Sequence, residues 1–452
     1  MKPARARGRS FRRGDEGYDE ARRACVWNAR MPARDPDVIV QANDEREVAE
    51  ALQLAAREGH RVAVRSGGHS WSGHHVREGG MLLDVSRLRR IEVDADKHLA
   101  RVGPGCVSEE LLEHLEPKSL FFPVGHCHGV GLRGFLLQGG FGWNSRVYGP
   151  ACMSVEAIDY VDAQGIARHA SETENQEMLW AARGAGPGFF GVVTRFHLRV
   201  YDRPAFVGVR AAVYRIDRMD DVFQWLERVR VEVPASVEFM AVVSRDAPLT
   251  FGQAIEVIAV VFADSYADAR TATRFMDSRP RGAARVLPLV PFPVSLMLRG
   301  SGRHYPEGAH YAVDNMWTNA PMASLLPGLR RIAETMPAHA SHMLWLNWSP
   351  PADRPAMAFS MEASTYLALY GVWSGDDENA PAADWPRERM MELAPLAKGI
   401  QLADENLAER PMRFMGDTNL VRLEMLRRKH DEAGRFHGYV RLPKAHDADE
   451  SA

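Results

Sequence analysis

The chain has 452 residues, 46% of them hydrophobic and 25% charged, with a formal net charge of -3. That length allows two or three domains and a large core. The balanced charge excludes a general attraction to nucleic acid or to an anionic membrane. No run of residues approaches the ~18 apolar positions of a membrane-spanning helix.

Four scattered cysteines, Cys25, Cys106, Cys127 and Cys152, offer no CxxC pair and no disulfide framework for a chain this long. A reducing, cytoplasmic setting is the expectation. The N-terminus begins with a basic cluster (Lys2, Arg5, Arg7, Arg9, Arg12, Arg13) that acidic residues follow at once. Residues 1–34 read as a flexible, solvated segment. Arg12-Arg13 is followed by no apolar region, so an export signal is set aside.

Asp44 with Glu47 three residues on forms a capping box, and Val48, Leu52 and Ala55 then share one helical face, which Gly59 ends. Val62 and Val64 alternate in a strand that runs into Arg65-Ser66-Gly67-Gly68-His69-Ser70. Short strands follow at 81–85, 91–93 and 99–102. Ser108 opens a helix that Pro117 stops. Then comes FPVGHCHGVGLRGFLLQGGFGWNSR, from Phe122 to Arg146, with seven glycines and two charged side chains. Glycine this dense is tolerated where backbone passes very close to another group. A hairpin at 155–169, a helix at 177–183 and a strand at 191–200 complete the first part.

A composition shift at Tyr201-Asp202-Arg203-Pro204 marks a domain boundary. Strands at 206–214, 237–244, 254–262, 343–346 and 366–373 alternate with helices around 222–231 and 266–276. That pattern describes an antiparallel sheet with helices on one face, an α+β unit. A last segment from Gly399 carries a helix at 419–430, and residues after Leu442 read as a polar, disordered tail.

Two motifs have plain alternatives. Gly129-Val130-Gly131-Leu132-Arg133-Gly134 is a literal GxGxxG, but Gly139-Gly140 breaks the chain after one turn and no N-terminal βαβ unit surrounds it. His126-Cys127-His128 places three metal-ligating types in a row, yet adjacent side chains diverge and no second cluster at ligand spacing stands out. No metal is expected. Trp71 and Trp143 divide evenly between core and pocket.

Taken together, the Arg65–Ser70 loop, the glycine stretch, Gly191-Val192-Val193-Thr194 and Asn419-x-x-Arg422-Leu423 resemble the berberine bridge enzyme-like family of the vanillyl alcohol oxidase superfamily. The likeness is strong over 35–202 and weaker over 399–439. It implies an α+β fold: a PCMH-type FAD-binding domain (35–203), an antiparallel-sheet substrate domain (204–398), and a C-terminal segment (399–452) returning to the FAD domain. It implies FAD bound covalently, by His69 at the flavin 8α carbon and by Cys127 at C6. Backbone around Arg65, Ser66, Gly67, Gly68 and Ser70, and around Gly125, Gly129, Val130, Gly131, Gly134, Gly139, Gly140, Gly142 and Asn144, would hold the pyrophosphate and ribityl chain. Gly191 and Val193 would flank the adenine, and Asn419 the flavin pyrimidine end.

The family's usual C-terminal G-x-Y tyrosine is replaced here, because the segment reads Gly399-Ile400-Gln401. An amide is no general base at neutral pH. Asp404, or Tyr366 or Tyr370 from the middle domain, could serve instead. Tyr148, just past the glycine stretch, is a further catalytic candidate. The resemblance implies an oxidase that passes hydride from a small hydroxylated or heterocyclic substrate to flavin and electrons to dioxygen. The alternatives are a dehydrogenase with another acceptor and a flavin-binding protein that has lost its base.

Overall fold

The structure is a computed structural model and describes residues 9–245, 252–337, 340–375 and 380–442. The residues Lys2, Arg5 and Arg7 and the tail after Leu442 lie outside these ranges.

Four sheets organise the described residues. The strands Arg9–Arg12, Val38–Gln41, Met81–Asp84 and Val62–Arg65 form the first, in that spatial order. Its last three strands pair in parallel, joined by the helix Glu45–Glu58. The Asp44 side chain accepts from the Glu47 amide, and Gly59 takes the left-handed conformation after the last turn. The Asp44 N-cap and the stop are therefore both realised, and the Glu47 carboxylate accepts from the Asn43 amide at 2.7 Å. A five-stranded antiparallel sheet follows, built from 91–94, 99–102, 192–199, 155–161 and 167–171. A two-stranded ribbon pairs Tyr201–Asp202 with Leu120–Phe121.

The largest sheet has seven antiparallel strands. Their order is Arg285–Pro291, Phe206–Arg215, Ala254–Ala263, Val237–Ser244, His342–Asn347, Thr365–Trp373 and His310–Thr318. Side chains alternate across a strand, and the sequence uses both faces. Val237, Phe239, Ala241 and Val243, with Ile255, Val257, Ala259 and Val261, bury against the helices Met219–Val229, Met322–Thr335 and Pro381–Leu393. The intervening residues face a cavity under the first two sheets. The helices cover one face, as the strand–helix pattern predicts. The C-terminal segment meets the first sheet, where Phe436 bridges Val62 and the His437 amide donates to the Val62 carbonyl at 2.9 Å.

The reading of 1–34 as a flexible segment needs correction for residues 9 onward. Arg9–Arg12 adds an edge strand to Val38–Gln41. The helix Tyr18–Ala24 buries Tyr18 and Ala21, and Cys25 and Asn28 are each 1% exposed. Tyr18, Ala21 and Cys25 cover the apolar back of the first sheet (Ile39, Ala63, Leu82), and Asn28 donates to the Trp71 and Tyr311 carbonyls. Among the described residues, no helix is long and apolar enough to cross a membrane.

Candidate active site

One cavity of about 590 Å³ lies between the first sheet, the glycine stretch and the seven-stranded sheet. Its position follows from the two glycine loops. The strand Val62–Arg65 delivers the loop 65–70, and Gly131 starts the short helix Leu132–Leu137. The loops meet at Gly67 and Gly131, where a Cβ on either would stand 2.7 Å from backbone of the other. Gly68 has φ +75, and a Cβ there would lie 2.4 Å from the Cys25 carbonyl oxygen. Only glycine gives this approach.

His69 projects from this crossing into the cavity and stacks on Trp27 at 4.3 Å between ring centres. Its Nε2 is buried with no hydrogen-bond partner. Burial pushes its pKa down to about 4, so the imidazole is neutral at physiological pH. Cys127 lines the same cavity. Burial, then the charges of Asp404 and Glu109, hold its thiol well above the ordinary range. Its neighbours diverge: His126 pairs with Glu238 at 2.9 Å and His128 with Glu109 at 2.8 Å.

Opposite these groups stands a buried carboxylate. Asp404 Oδ1 accepts from Trp71 Nε1 at 2.7 Å. Its Oδ2 accepts from the Tyr370 hydroxyl at 3.0 Å and also from the Tyr366 hydroxyl. Burial raises the Asp404 pKa, against the three hydrogen bonds. The two phenols are themselves raised well above 10 by burial, so they stay protonated. Asn315 fixes this loop: its Nδ2 donates to the Asp404 carbonyl at 2.7 Å and its Oδ1 accepts from the Gln401 amide at 2.7 Å. Tyr366 and Tyr370 lie on one face of a strand, four residues apart, which is why one carboxylate reaches both.

The structure brings most of the expected residues together and separates some. Arg65, Ser66, Gly67, Gly68, His69, Ser70, Gly125, Cys127, Val130, Gly131, Gly134, Gly140, Gln401 and Asp404 all line the cavity. Arg65 turns its guanidinium away, onto Asp84 at 3.0 Å. Gly129 sits behind His69, with a Cβ there 3.6 Å from Nε2. Gly139 packs on Phe359, and Gly142 bridges Gly125. The Asn144 amide donates to Glu238 at 2.5 Å. Four expectations are corrected. Tyr148 stacks on Tyr201 at 3.8 Å, off the cavity wall. Asn419 donates to the Met357 and Ala358 carbonyls, at 3.2 and 3.1 Å, rather than facing the cavity. Gly191 abuts Tyr160 and Phe189, and Val193 is buried in the core.

Sequence reasoning missed Trp27, Tyr305, Asn315 and His342, because no local pattern marks them. It also found no second ligand cluster. Asp159, His169 and His197 nevertheless converge across three strands, with His169 and His197 at 2.7 and 3.1 Å from the Asp159 carboxylate.

The cavity suits a dinucleotide. Arg133 lines it half-buried, its Nε enclosed with no hydrogen-bond partner and with no acidic partner among the described residues, and desolvation lowers its pKa to about 10. A partly desolvated, unpaired guanidinium calls for an anion, and a pyrophosphate is one. The Gly67–Gly131 cradle and the open His69 nitrogen fit the rest. These features define a flavin-binding α+β protein with an acid–base cluster facing the ring site.

A profile of the FAD binding domain family matches residues 36–171. The chain is 30% identical to an FAD-linked oxidoreductase of Penicillium ochrochloron, over 94% of each chain. It is 32% identical to one of Hypoxylon pulicicidum, again over 94% of each. The fold is similar to that of 6-hydroxy-D-nicotine oxidase from Arthrobacter nicotinovorans, with a TM-score of 0.82, 20% identity and coverage of 98% and 99%. The chain belongs to the FAD-linked oxidoreductases, and it is an enzyme.

Proposed function

We propose that the protein is an oxidase holding FAD covalently, and that Asp404 with Tyr366 and Tyr370 replaces the absent tyrosine at position 401. The observation that carries this reading is the shared cavity: His69 and Cys127 on one side, the Asp404–tyrosine cluster on the other. FAD, when bound, supplies a ring that accepts a hydride from the substrate carbon. The protein's own groups handle the proton. A phenol that donates to Asp404 keeps an oxygen lone pair for a substrate hydroxyl. The substrate proton passes to that phenol as the phenol proton passes to Asp404. The raised pKa of Asp404 makes it the better acceptor.

His69, neutral and with a free nitrogen, is ready to act as a nucleophile. Cys127 is held as a thiol and must lose its proton to link. His69 Nε2 and the Cys127 sulfur are the groups that would hold the flavin; each would give up one proton and bond to a ring carbon that gives up one hydrogen, and dioxygen would take the two electrons and two protons released. During turnover the same acceptor yields hydrogen peroxide. The substrate is a small molecule with a hydroxyl or ring N–H at the carbon to be oxidised. Acid precipitation of the purified protein tests the linkage: yellow colour in the pellet is expected, and colour in the supernatant refutes it. Peroxide formed with substrate and air tests the acceptor.

A further inference from the structure

Beyond the ring site, the cavity runs along the helix-free face of the seven-stranded sheet. That floor is apolar. Met240 and Val242, Ile258 and Val260, and Leu344 and Leu346 come from three neighbouring strands and point into the cavity. Such a floor excludes water from a ligand and offers it few hydrogen bonds. A sugar desolvated there would leave its hydroxyls unmatched, at a cost for each.

The same face carries an open ring acceptor. His342 is 1% exposed and lines the cavity. Its Nδ1 lies 2.8 Å from the Ala340 carbonyl oxygen, which can only accept. The proton is therefore on Nδ1, and Nε2 is a bare acceptor. Nε2 is buried and has no partner. Burial lowers the imidazole pKa to about 3, so it stays neutral. The ring stacks on Tyr370 at 4.6 Å, with Tyr305 edge-on at 5.2 Å. It is thereby fixed beside the phenol that bonds Asp404. Ser244 stands directly opposite His342 in register, its hydroxyl also without a partner. Glu256 shares the floor.

We propose that this compartment binds an apolar substrate, anchored by one hydrogen bond that a substrate hydroxyl or N–H donates to Nε2 of His342. This deepens the oxidase reading by naming the substrate class of the same cavity. It accounts for an apolar floor with a buried, uncharged ring acceptor at its edge, next to the proton-accepting cluster.

The test is equilibrium binding to the full-length, flavin-loaded protein, followed by tyrosine and tryptophan fluorescence and needing no turnover. The probes are 2-naphthol, 2-methoxynaphthalene, 2-naphthylmethylamine and glucose. The expected result is that 2-naphthol binds about 5- to 10-fold tighter than its methyl ether, the effect of one neutral hydrogen bond. His342→Phe should abolish that preference while leaving the ether's affinity in place, and His342→Gln, which keeps an acceptor, should retain it. Equal binding of the two naphthalenes to the unaltered protein overturns the proposal, whether or not the Phe variant folds. So does a preference lost in Ser244→Ala but kept in His342→Phe. Tightest binding of the amine would move the anchor to Glu256 and also overturn it, as would glucose binding above either naphthalene. Flavin released by acid would refute the covalent reading and leave these affinities to decide the substrate class separately.

Discussion

Gly67 and Gly131, 64 positions apart in the sequence, touch backbone to backbone, with 2.7 Å between a Cβ built on either and the other's Cα. That contact sets the distance between the loop bearing His69 and the stretch bearing Cys127. Gly131→Ala should force the loops apart. Overpacking of this kind costs about 1–3 kcal/mol. The expected outcome is a lower thermal midpoint together with loss of flavin from the purified protein. A variant that keeps full flavin and an unchanged midpoint would show that the loops have room to give.

Asp404 must be ionised to accept a proton, and its pKa is raised by burial. Turnover should therefore rise with pH through a value above 3.8, the ordinary value for aspartate, and level off above it. Asp404→Asn should lower kcat about 10²- to 10⁴-fold, the usual range for loss of a general base, and remove that limb of the profile. Stopped-flow reduction of the flavin over a pH series measures both. An unchanged limb in the Asn variant would assign the base elsewhere.

Trp27 lies flat against His69 at 4.3 Å and 20°. The contact orients the imidazole toward the cavity. Trp27→Ala should slow covalent incorporation of FAD while leaving the N-terminal helix folded. The acid-precipitable flavin, followed over time after adding FAD to flavin-free protein, reports this. Incorporation at the normal rate would reduce Trp27 to a packing role.

Five buried or half-buried histidines, His69, His74, His75, His342 and His437, all have pKa values pushed below the ordinary 6.5, mainly by desolvation. Their folded forms bind fewer protons than the unfolded chain does. Flavin-free protein should therefore hold its full histidine contribution above pH 6.5. It should lose stability as pH falls from there toward about 4, the value for His69 and His437. Each contributes up to about 1.4 kcal/mol per pH unit. Asp314, Asp404 and Asp431, raised by burial, oppose this at the acid end. Urea midpoints between pH 7 and 4 test the sign.

Arg133 is half-buried, with no carboxylate partner among the described residues. Arg133→Met should raise the stability of flavin-free protein, since an uncompensated charge leaves the interior, and should weaken FAD uptake. A fluorescence titration with FAD beside a thermal melt gives both readings. Loss of stability with uptake intact would contradict the role.

The sequence by itself determined what depends on nearby residues. The Asp44 cap, the Val62–Arg65 strand, the two glycine loops and the period-two strands after Phe206 all follow from local backbone chemistry, which acts over a few positions. It also determined the flavoenzyme family, because those loops are specific. Only the tertiary structure decided which side chains meet. Trp71 and Asp404 are 333 positions apart. Trp27 reaches His69 from a segment that reads as a solvated tail. His342 faces the cavity because its strand settled with Met343 and Trp345 on the helices. Alternation along a strand tells which residues share a face, whereas packing against the helices and the first domain chooses which face becomes core and which becomes site.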